Sequence, residues 1–298
     1  MKISVVIINY NYAAFLERAI RSALGQTRPA DEIIIVDDGS TDASIALVQP
    51  LLAQFPTLRL HAQNNGGQLA AVRSGVEQAG GDWIFFLDSD DEWSNGHLQT
   101  ATACLESTPS AGMYFSGHRE TSGPPLYRSK WAEGAFGPCS GLVASTGIRL
   151  GTIESTLGIR ASLAREVLSF DSAWDQEWRM RAEDCLIFGA SLAGAVVYHH
   201  PAQTVSYRIH GGNSFAGTDQ SSKANRYNEN KARLFRFWMD RFGIDPQTLA
   251  KRVYHECLDH HANRANRAVL RRCARALRRA PGSRWKNLWR SLRLQLIH

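Results

Sequence analysis

The sequence predicts an α/β fold, a mostly parallel sheet with helices on both faces, followed by a helical, basic C-terminal extension. Three observations predict it. Short β-branched runs alternate with stretches of helical periodicity between Ile3 and Leu87. Each run empties into a polar cluster, as strands of a parallel sheet do where they open on a ligand crevice. The charge also changes sign along the chain: residues 251–298 hold 13 Lys/Arg against Glu256 and Asp259, leaving 21 basic and 26 acidic residues before them.

The elements follow in order. Val5 to Ile8 is a buried-type strand, and Phe15, Leu16, Ala19, Ile20, Ala23 and Leu24 recur after it at helical spacing. Ile33 to Val36 is a second strand, ended by Asp37-Asp38-Gly39. A helix is expected from near Thr41 or Asp42, with Pro50 kinking or ending it. Leu58 to Ala62 is a third strand, Asn64-Asn65-Gly66-Gly67 a turn, and Leu69 to Ala79 a helix. Trp83 to Leu87 is the fourth strand. This βαβα order calls for a mostly parallel sheet covered on both faces. Further on, Gly123 to Lys130 and Gly134 to Gly141 read as loops, Ala161 to Leu168 as a helix, and Ala195–Tyr198 and Thr204–Tyr207 as strands. Beyond about residue 220 the pattern is helical and Arg-rich, with Pro281-Gly282 separating two tail helices. Two regions are expected, 1–218 and 219–298.

At 298 residues and 44% hydrophobic content the chain can build an ordinary packed core. Its five cysteines are scattered without a Cys-x-x-Cys pair and read as reduced thiols of a cytoplasmic protein, with no zinc site. The apolar run Ile3–Ile8 is too short for a signal-peptide core, and no window approaches a membrane span. No Gly-x-Gly-x-x-Gly follows the first strand, which argues against a dinucleotide oxidoreductase. Nothing in the body resembles a nucleic-acid module, so no nucleic-acid partner is expected.

The run Phe85-Phe86-Leu87-Asp88-Ser89-Asp90-Asp91 carries the most chemistry. Its three carboxylates repel one another, and a divalent cation with a preference for oxygen, Mg²⁺ or Mn²⁺, would resolve the repulsion. The competing reading is a solvated acidic turn that caps the next helix. Asn9-Tyr10-Asn11, Asp37-Asp38, Asn64-Asn65 and Asp88–Asp91 all fall at strand carboxyl ends, so one sheet edge forms a binding site whatever its ligand.

The order of these motifs resembles the family 2 glycosyltransferases, inverting enzymes of GT-A fold. The matching segments are Ser4 to Asn11, Ile35 to Asp42, Asn64 to Gly67 with Arg73, Phe86 to Asp91, Arg181 to Asp184, and Tyr207 to Ser214. They cover about residues 3–215, and six in the family's order are far more specific than any one. One departure is that Ile8-Asn9 precede Tyr10 where the family often has Pro. The resemblance implies a nucleotide diphospho-sugar donor, with Tyr10, Asn11, Asp38, Arg73 and Asp88 at the nucleotide, and Tyr10 and Asp38 suited to stack on and hydrogen-bond uracil. It implies Mn²⁺ or Mg²⁺ at Asp90 and His210, and Asp184 as the general base beside an orienting Glu183. The acceptor it implies is a glycan or lipid-linked hydroxyl in bacterial surface polysaccharide assembly. Without the resemblance, Arg73 reads as a solvated helix residue and Glu183-Asp184 as a helix-start acidic pair.

In the tail, Trp285, Leu288, Trp289, Leu292 and Leu296 fall at helical spacing, flanked by Arg284, Lys286, Arg290 and Arg293. Residues 284–298 fit an element on an anionic surface at the inner face of the cytoplasmic membrane, and equally a helix packed on the body. The adjacent pairs His199-His200 and His260-His261 diverge on either a strand or a helix and are not expected to chelate. Rival functions are a glycosidase, which needs two carboxylates and no nucleotide, and a noncatalytic nucleotide-sugar-binding or membrane-scaffold protein on a transferase fold.

Overall fold

The computed structural model describes residues 1–121, 131, 133–179, 181–211, 220–262, 267–279, 286–287 and 289–291. The chain opens with β1 (Ile3–Asn9), α1 (Ala13–Leu24), β2 (Glu32–Asp37), α2 (Ser44–Gln54), β3 (Leu58–Ala62), α3 (Gln68–Gln78) and β4 (Trp83–Asp88). It continues through β5 (Glu92–Trp93), α4 (His97–Ser107), β6 (Ala111–Glu120), β7 (Gly134–Phe136), α5 (Ser140–Thr146), a 3₁₀ turn Glu154–Thr156, and β8 (Leu157–Arg160). Then come α6 (Ala161–Val167), α7 (Ala173–Glu177), α8 (Ala182–Leu192), β9 (Val196–Tyr207), α9 (Gln220–Arg241), α10 (Leu249–Ala262) and α11 (Arg267–Arg279).

One nine-stranded sheet runs β3-β2-β1-β4-β8-β6-β9-β5, with β7 also paired to β9. Its first four strands are parallel, as the alternation of strand and helix demands. β8 enters antiparallel between β4 and β6 and turns the sheet mixed. Every residue of β1 is buried, so hydrophobicity alone does not separate its two faces. The pleat does. Val6, Ile8, Ile34, Val36, Ile84 and Phe86 join one core, which also takes Val72 of α3, Leu186 of α8, Trp238 of α9, Val253 of α10 and Leu277 of α11. Ile3, Val5, Ile7, Ile33, Ile35 and Phe85 point the other way, onto Leu16 and Ile20 of α1 and Leu98 of α4.

Several expectations change on contact with the fold. Pro50 lies inside α2, which continues until Phe55 N–H bonds Leu51 O; Val48 and Leu51, buried against the sheet, hold the helix together around it. The two expected strands near 195–207 are one, β9, whose register against β6 shifts in three places. Gly134–Phe136 pairs with β9, and a helix begins at Ser140 where a loop was expected. The reading of five reduced thiols is corrected: Cys257 of α10 and Cys273 of α11 form a disulfide, and Cys104, Cys139 and Cys185 are free. Helical periodicity does not show which faces of α10 and α11 meet, so no sequence pattern marks the pair.

The expected 218/219 boundary, Gly123–Lys130 and Pro281-Gly282 lie outside the described residues, as do Arg284, Trp285, Leu288 and Leu292 to His298. The described part of the tail packs partly on α11: Ser291 Oγ donates to Ala274 O (3.0 Å) and accepts from Arg278 Nε (2.9 Å), while Trp289 is 58% exposed. His199 is buried 4.8 Å from the Phe115 ring, and His200 lies beside Glu133. No described helix is long and apolar enough to cross a membrane.

The seating of α3 on the sheet depends on Gly75. A Cβ there would fall 2.4 Å from Val6 Cγ1 and 3.4 Å from Val36 Cγ2. Both neighbours are β-branched residues of buried strands, so neither has room to yield. Gly75→Ala should therefore destabilise the protein by roughly 1–3 kcal/mol, the usual cost of overpacking, read as a lower urea midpoint with unchanged slope. An unchanged midpoint would mean that α3 is free to lift.

Candidate active site

Register builds the site edge. Asn9 pairs with Asp37 and Ile8 with Asp88, so the ends of β1, β2 and β4 are level. Asn9 Nδ2 donates to Asp37 Oδ2 (2.7 Å), and Asp37 also accepts from the amide and hydroxyl of Ser40 (2.8 and 2.7 Å). Asn11 adopts φ 58°, a conformation Asn tolerates better than most residues. Its Oδ1 accepts from Thr41 N (2.7 Å), tying the β1 loop to the β2 loop. Tyr10 stands between these clasps with 46% of its surface open.

Asp38 is almost fully buried and works first as a loop organiser. It accepts from Gln63 Nε2, Gly66 N and Gly67 N, all at 2.8 Å, and so fixes the Asn64–Gly67 turn after β3. Gly67 sits at φ 90° with Arg179 3.1 Å from where a Cβ would be, which explains the glycine. Three of about four acceptor positions on Asp38 are thereby taken.

Asp88, Asp90 and Asp91 place one oxygen each within 4.8 Å of one another at the end of β4. Asp91 accepts from Ser155 Oγ (2.6 Å) and Arg208 N (3.0 Å). Ser155 Oγ also accepts from Asp88 N (3.0 Å), so the 3₁₀ turn before β8 braces the run from the side. Asp90 Oδ2 lies 3.0 Å from His210 Nε2, and that imidazole packs 4.6 Å from the Phe15 ring and edge-on to Tyr12. A fourth carboxylate joins from the same turn. Glu154 is 2% exposed; its Oε2 accepts from Gln68 Nε2 (2.6 Å), and its Oε1 is buried with no hydrogen-bond partner. Burial, then Glu154, Asp90, Asp91 and Glu183, push the Asp88 carboxyl well above its ordinary range. Burial and Glu183 do the same to Glu154, and burial and Asp90 lift Asp91 to about 7.

Glu183 and Asp184 open α8 but face different surroundings. Asp184 has no exposed surface and is clasped by Arg149 Nε, Arg181 Nε (2.9 Å) and Tyr227 Oη (2.6 Å). Arg181 holds this clasp from the left-handed region, φ 62°. Glu183 is 13% exposed and bonds Arg149 Nη2 (3.1 Å). It is the member of the pair whose charge is felt by Asp88 and Glu154, and burial raises its own carboxyl. Glu183 is thus coupled electrostatically to the acidic cleft, while Asp184 is enclosed by Arg149, Arg181 and Tyr227.

Arg73 is held by groups of the protein itself. Its Nη1 donates to Leu168 O (2.8 Å) and Phe170 O (2.9 Å), its Nη2 pairs with Asp175 (2.8 Å), and its guanidinium covers the Phe170 ring. It ties α3 to the α6–α7 connection, and its Nε is buried. Sequence reasoning missed Arg149, Glu154, Ser155 and Tyr227. Their partners are between 34 and 86 residues away, and no local pattern marks them.

A mixed sheet whose parallel half ends in an acidic cleft beside an exposed aromatic defines the GT-A class of nucleotide-sugar-dependent transferases. The Glycosyl transferase family 2 model matches residues 4–157, and the chain belongs to that family. It is 32% identical over 231 residues to an uncharacterized glycosyltransferase of Nostoc sp., covering 72% of this chain and 66% of that protein. It is similar in fold to S. aureus TarS in complex with UDP, with a TM-score of 0.58, 16% identity, and 99% of this chain and 71% of that one covered. It is likewise similar to the mannosyltransferase PcManGT from Pyrobaculum calidifontis in complex with GDP-Man and Mn²⁺, with a TM-score of 0.55, 17% identity, and coverages of 99% and 79%.

The crowded carboxylates have a measurable consequence. Carboxyls raised in the native state bind protons that the unfolded chain releases near its ordinary value. The stability they contribute is present at low pH and is lost as pH rises through the native value, about 7 for Asp91. Chelator-treated protein should therefore melt higher near pH 5 than near pH 8, to the extent that other groups do not titrate between, and Asp91→Asn should flatten the difference. A melting temperature that climbs from pH 5 to pH 8, unchanged by Asp91→Asn, would exclude this burden.

Proposed function

We propose that the protein is a metal-dependent inverting transferase that moves a sugar from a UDP-sugar to a hydroxyl of a glycan or lipid-linked acceptor. The observation that carries the reading is the Asp88–Asp91 group at the end of β4, closed by His210. The residues fit a divalent cation. Three carboxylate oxygens within 4.8 Å form the oxygen-rich donor set that Mg²⁺ or Mn²⁺ takes. Asp90 would hold the ion with His210, and Asp88 would lie between ion and nucleotide. Bound there, the ion supplies charge neutralisation for a departing diphosphate.

The rest is done by the chain's own groups. Tyr10 offers its open face to the uracil ring, and Asp38 offers its remaining acceptor position to an imide N–H. Asn11 keeps both loops in place for them. In a single displacement the acceptor oxygen bonds the anomeric carbon as the bond to the diphosphate oxygen breaks, and the hydroxyl proton passes to a carboxylate. The family resemblance favours Asp184 for that proton, but burial, hydrogen bonds from Arg149 and Tyr227 and the Arg181 ion pair occupy it. We assign the proton to Glu183, with Asp184 anchoring Arg149 behind it. The UDP complex of TarS and the Mn²⁺ complex of PcManGT support a nucleotide-sugar donor and a divalent ion here. The acceptor class, and work at the inner face of a membrane, rest on the family resemblance and the basic tail.

Two experiments test the reading. Calorimetry should show UDP binding that strengthens with Mn²⁺ or Mg²⁺ and weakens in Asp90→Asn; binding of GDP but not UDP would overturn the base assignment. Glu183→Gln should keep UDP binding and lose transfer by about 10²–10⁴-fold, whereas Asp184→Asn should lower the melting temperature by uncoupling two arginines. A stable Asp184→Asn that binds UDP but does not transfer, beside an active Glu183→Gln, would return the base to Asp184.

A further inference from the structure

Away from the acidic cleft, α5, α10 and α11 enclose a cavity of about 480 Å³. Arg272, Arg275 and Arg279 line it, and their spacing of three and four residues puts them along one side of α11. Ile148 and Leu249 contribute apolar surface, and Thr146 adds a hydroxyl at its edge. No carboxylate is among the lining residues described. The other side of α11, with Cys273, Ala274 and Leu277, is buried, so the helix is fixed with its arginines toward this hollow and solvent. The disulfide to Cys257 ties it to α10. Arg272 is further set by the Trp131 ring, 4.8 Å from its guanidinium.

We propose that this cavity binds the phosphodiester headgroup of an anionic membrane phospholipid. Three arginines along one wall match the oxygens of a phosphodiester in charge and hydrogen-bonding capacity. The apolar lining suits the glycerol carbons that a free phosphate lacks. The 13 Lys/Arg against two acids in residues 251–298 supply the long-range attraction, and the cavity supplies a seat for one lipid. Ile148 lines the cavity and the next residue, Arg149, clasps Glu183 and Asp184, so one short segment joins the lipid seat to the acidic cleft. This assignment stands apart from the transfer reading.

The test uses the full chain and vesicles of phosphatidylglycerol in phosphatidylcholine, beside pure phosphatidylcholine, at low and high salt. Wild type should sediment with the anionic vesicles at low salt. R275E/R279E should lose roughly thirty-fold or more in partitioning, because each basic residue at such a surface contributes about fivefold. R236E/R241E, an equal charge change on the exposed side of α9, should stay within about threefold of wild type. Circular dichroism should show all three folded. Failure of wild type to sediment overturns the proposal, and equal losses in the two double variants reduce it to unspecific charge and overturn it as well. If inorganic phosphate raises the melting temperature of wild type but not of R275E/R279E, and vesicles are ignored, the cavity takes free phosphate and the lipid is excluded. UDP titration of the same proteins reads the transfer assignment separately, since neither substitution touches the acidic cleft.

Discussion

Carboxylates buried together must be braced, protonated or neutralised, and this constraint organises the carboxyl edge of the sheet. Asp88, Asp90, Asp91, Glu154 and Glu183 share one cleft where burial and mutual repulsion act in the same direction. The nearby cations are spent at the rim: Arg149 on Glu183 and Asp184, and Arg208 on Glu92 and the Asp90 carbonyl. Inside, the brace is made of neutral donors, the Ser155 hydroxyl, the Gln68 amide and the Arg208 backbone N–H. Such an arrangement forgoes native stability that a bound cation would restore, a trade common at working sites.

The scaffold keeps this geometry rigid. Parallel β1, β2 and β4 end level, so each loop leaves the sheet at the same height. Asn9, Asn11, Asp37 and Asp38 then spend their polar atoms on one another's loops, through bonds of 2.7–2.9 Å. Tyr10 is thus held open at low entropic cost, because its backbone is already fixed on both sides. Much of what looks ligand-like in the sequence is the frame around an exposed aromatic, Tyr10.

How much of this was legible follows from distance along the chain. The strands, the helix after the Asn-Gly turn and the acidic run each lie in a few consecutive residues, and periodicity exposes them. Asp90 and His210 are 120 residues apart and 3.0 Å apart in space, and only the order of family motifs connects them in sequence. The contacts of Arg73 were not legible, because a helix position says which turn a side chain leaves from, whereas its carbonyl partners at Leu168 and Phe170 belong to a distant connection. Glu154 and Ser155 gave no signal: they precede a four-residue strand whose antiparallel insertion beside β4 is a tertiary fact. The same holds for the Cys257–Cys273 pair, which depends on how two helices face.

The late entry of β8 into the sheet bears on how the chain is made. Asp88 waits 67 residues for Ser155, and Asp90 waits until His210 has been synthesised. On the ribosome the parallel half can form while its edge beside β4 is still open, and the acidic run is then without brace or lid. Loop closure over such spans is slow relative to local helix formation. The nascent chain therefore passes through a stage in which a hydrophobic strand edge and uncompensated charge lie side by side. The negative charge at the end of β4 discourages edge-to-edge pairing with another chain during that interval, so the residues proposed to serve the donor later also act as a guard against aggregation during synthesis.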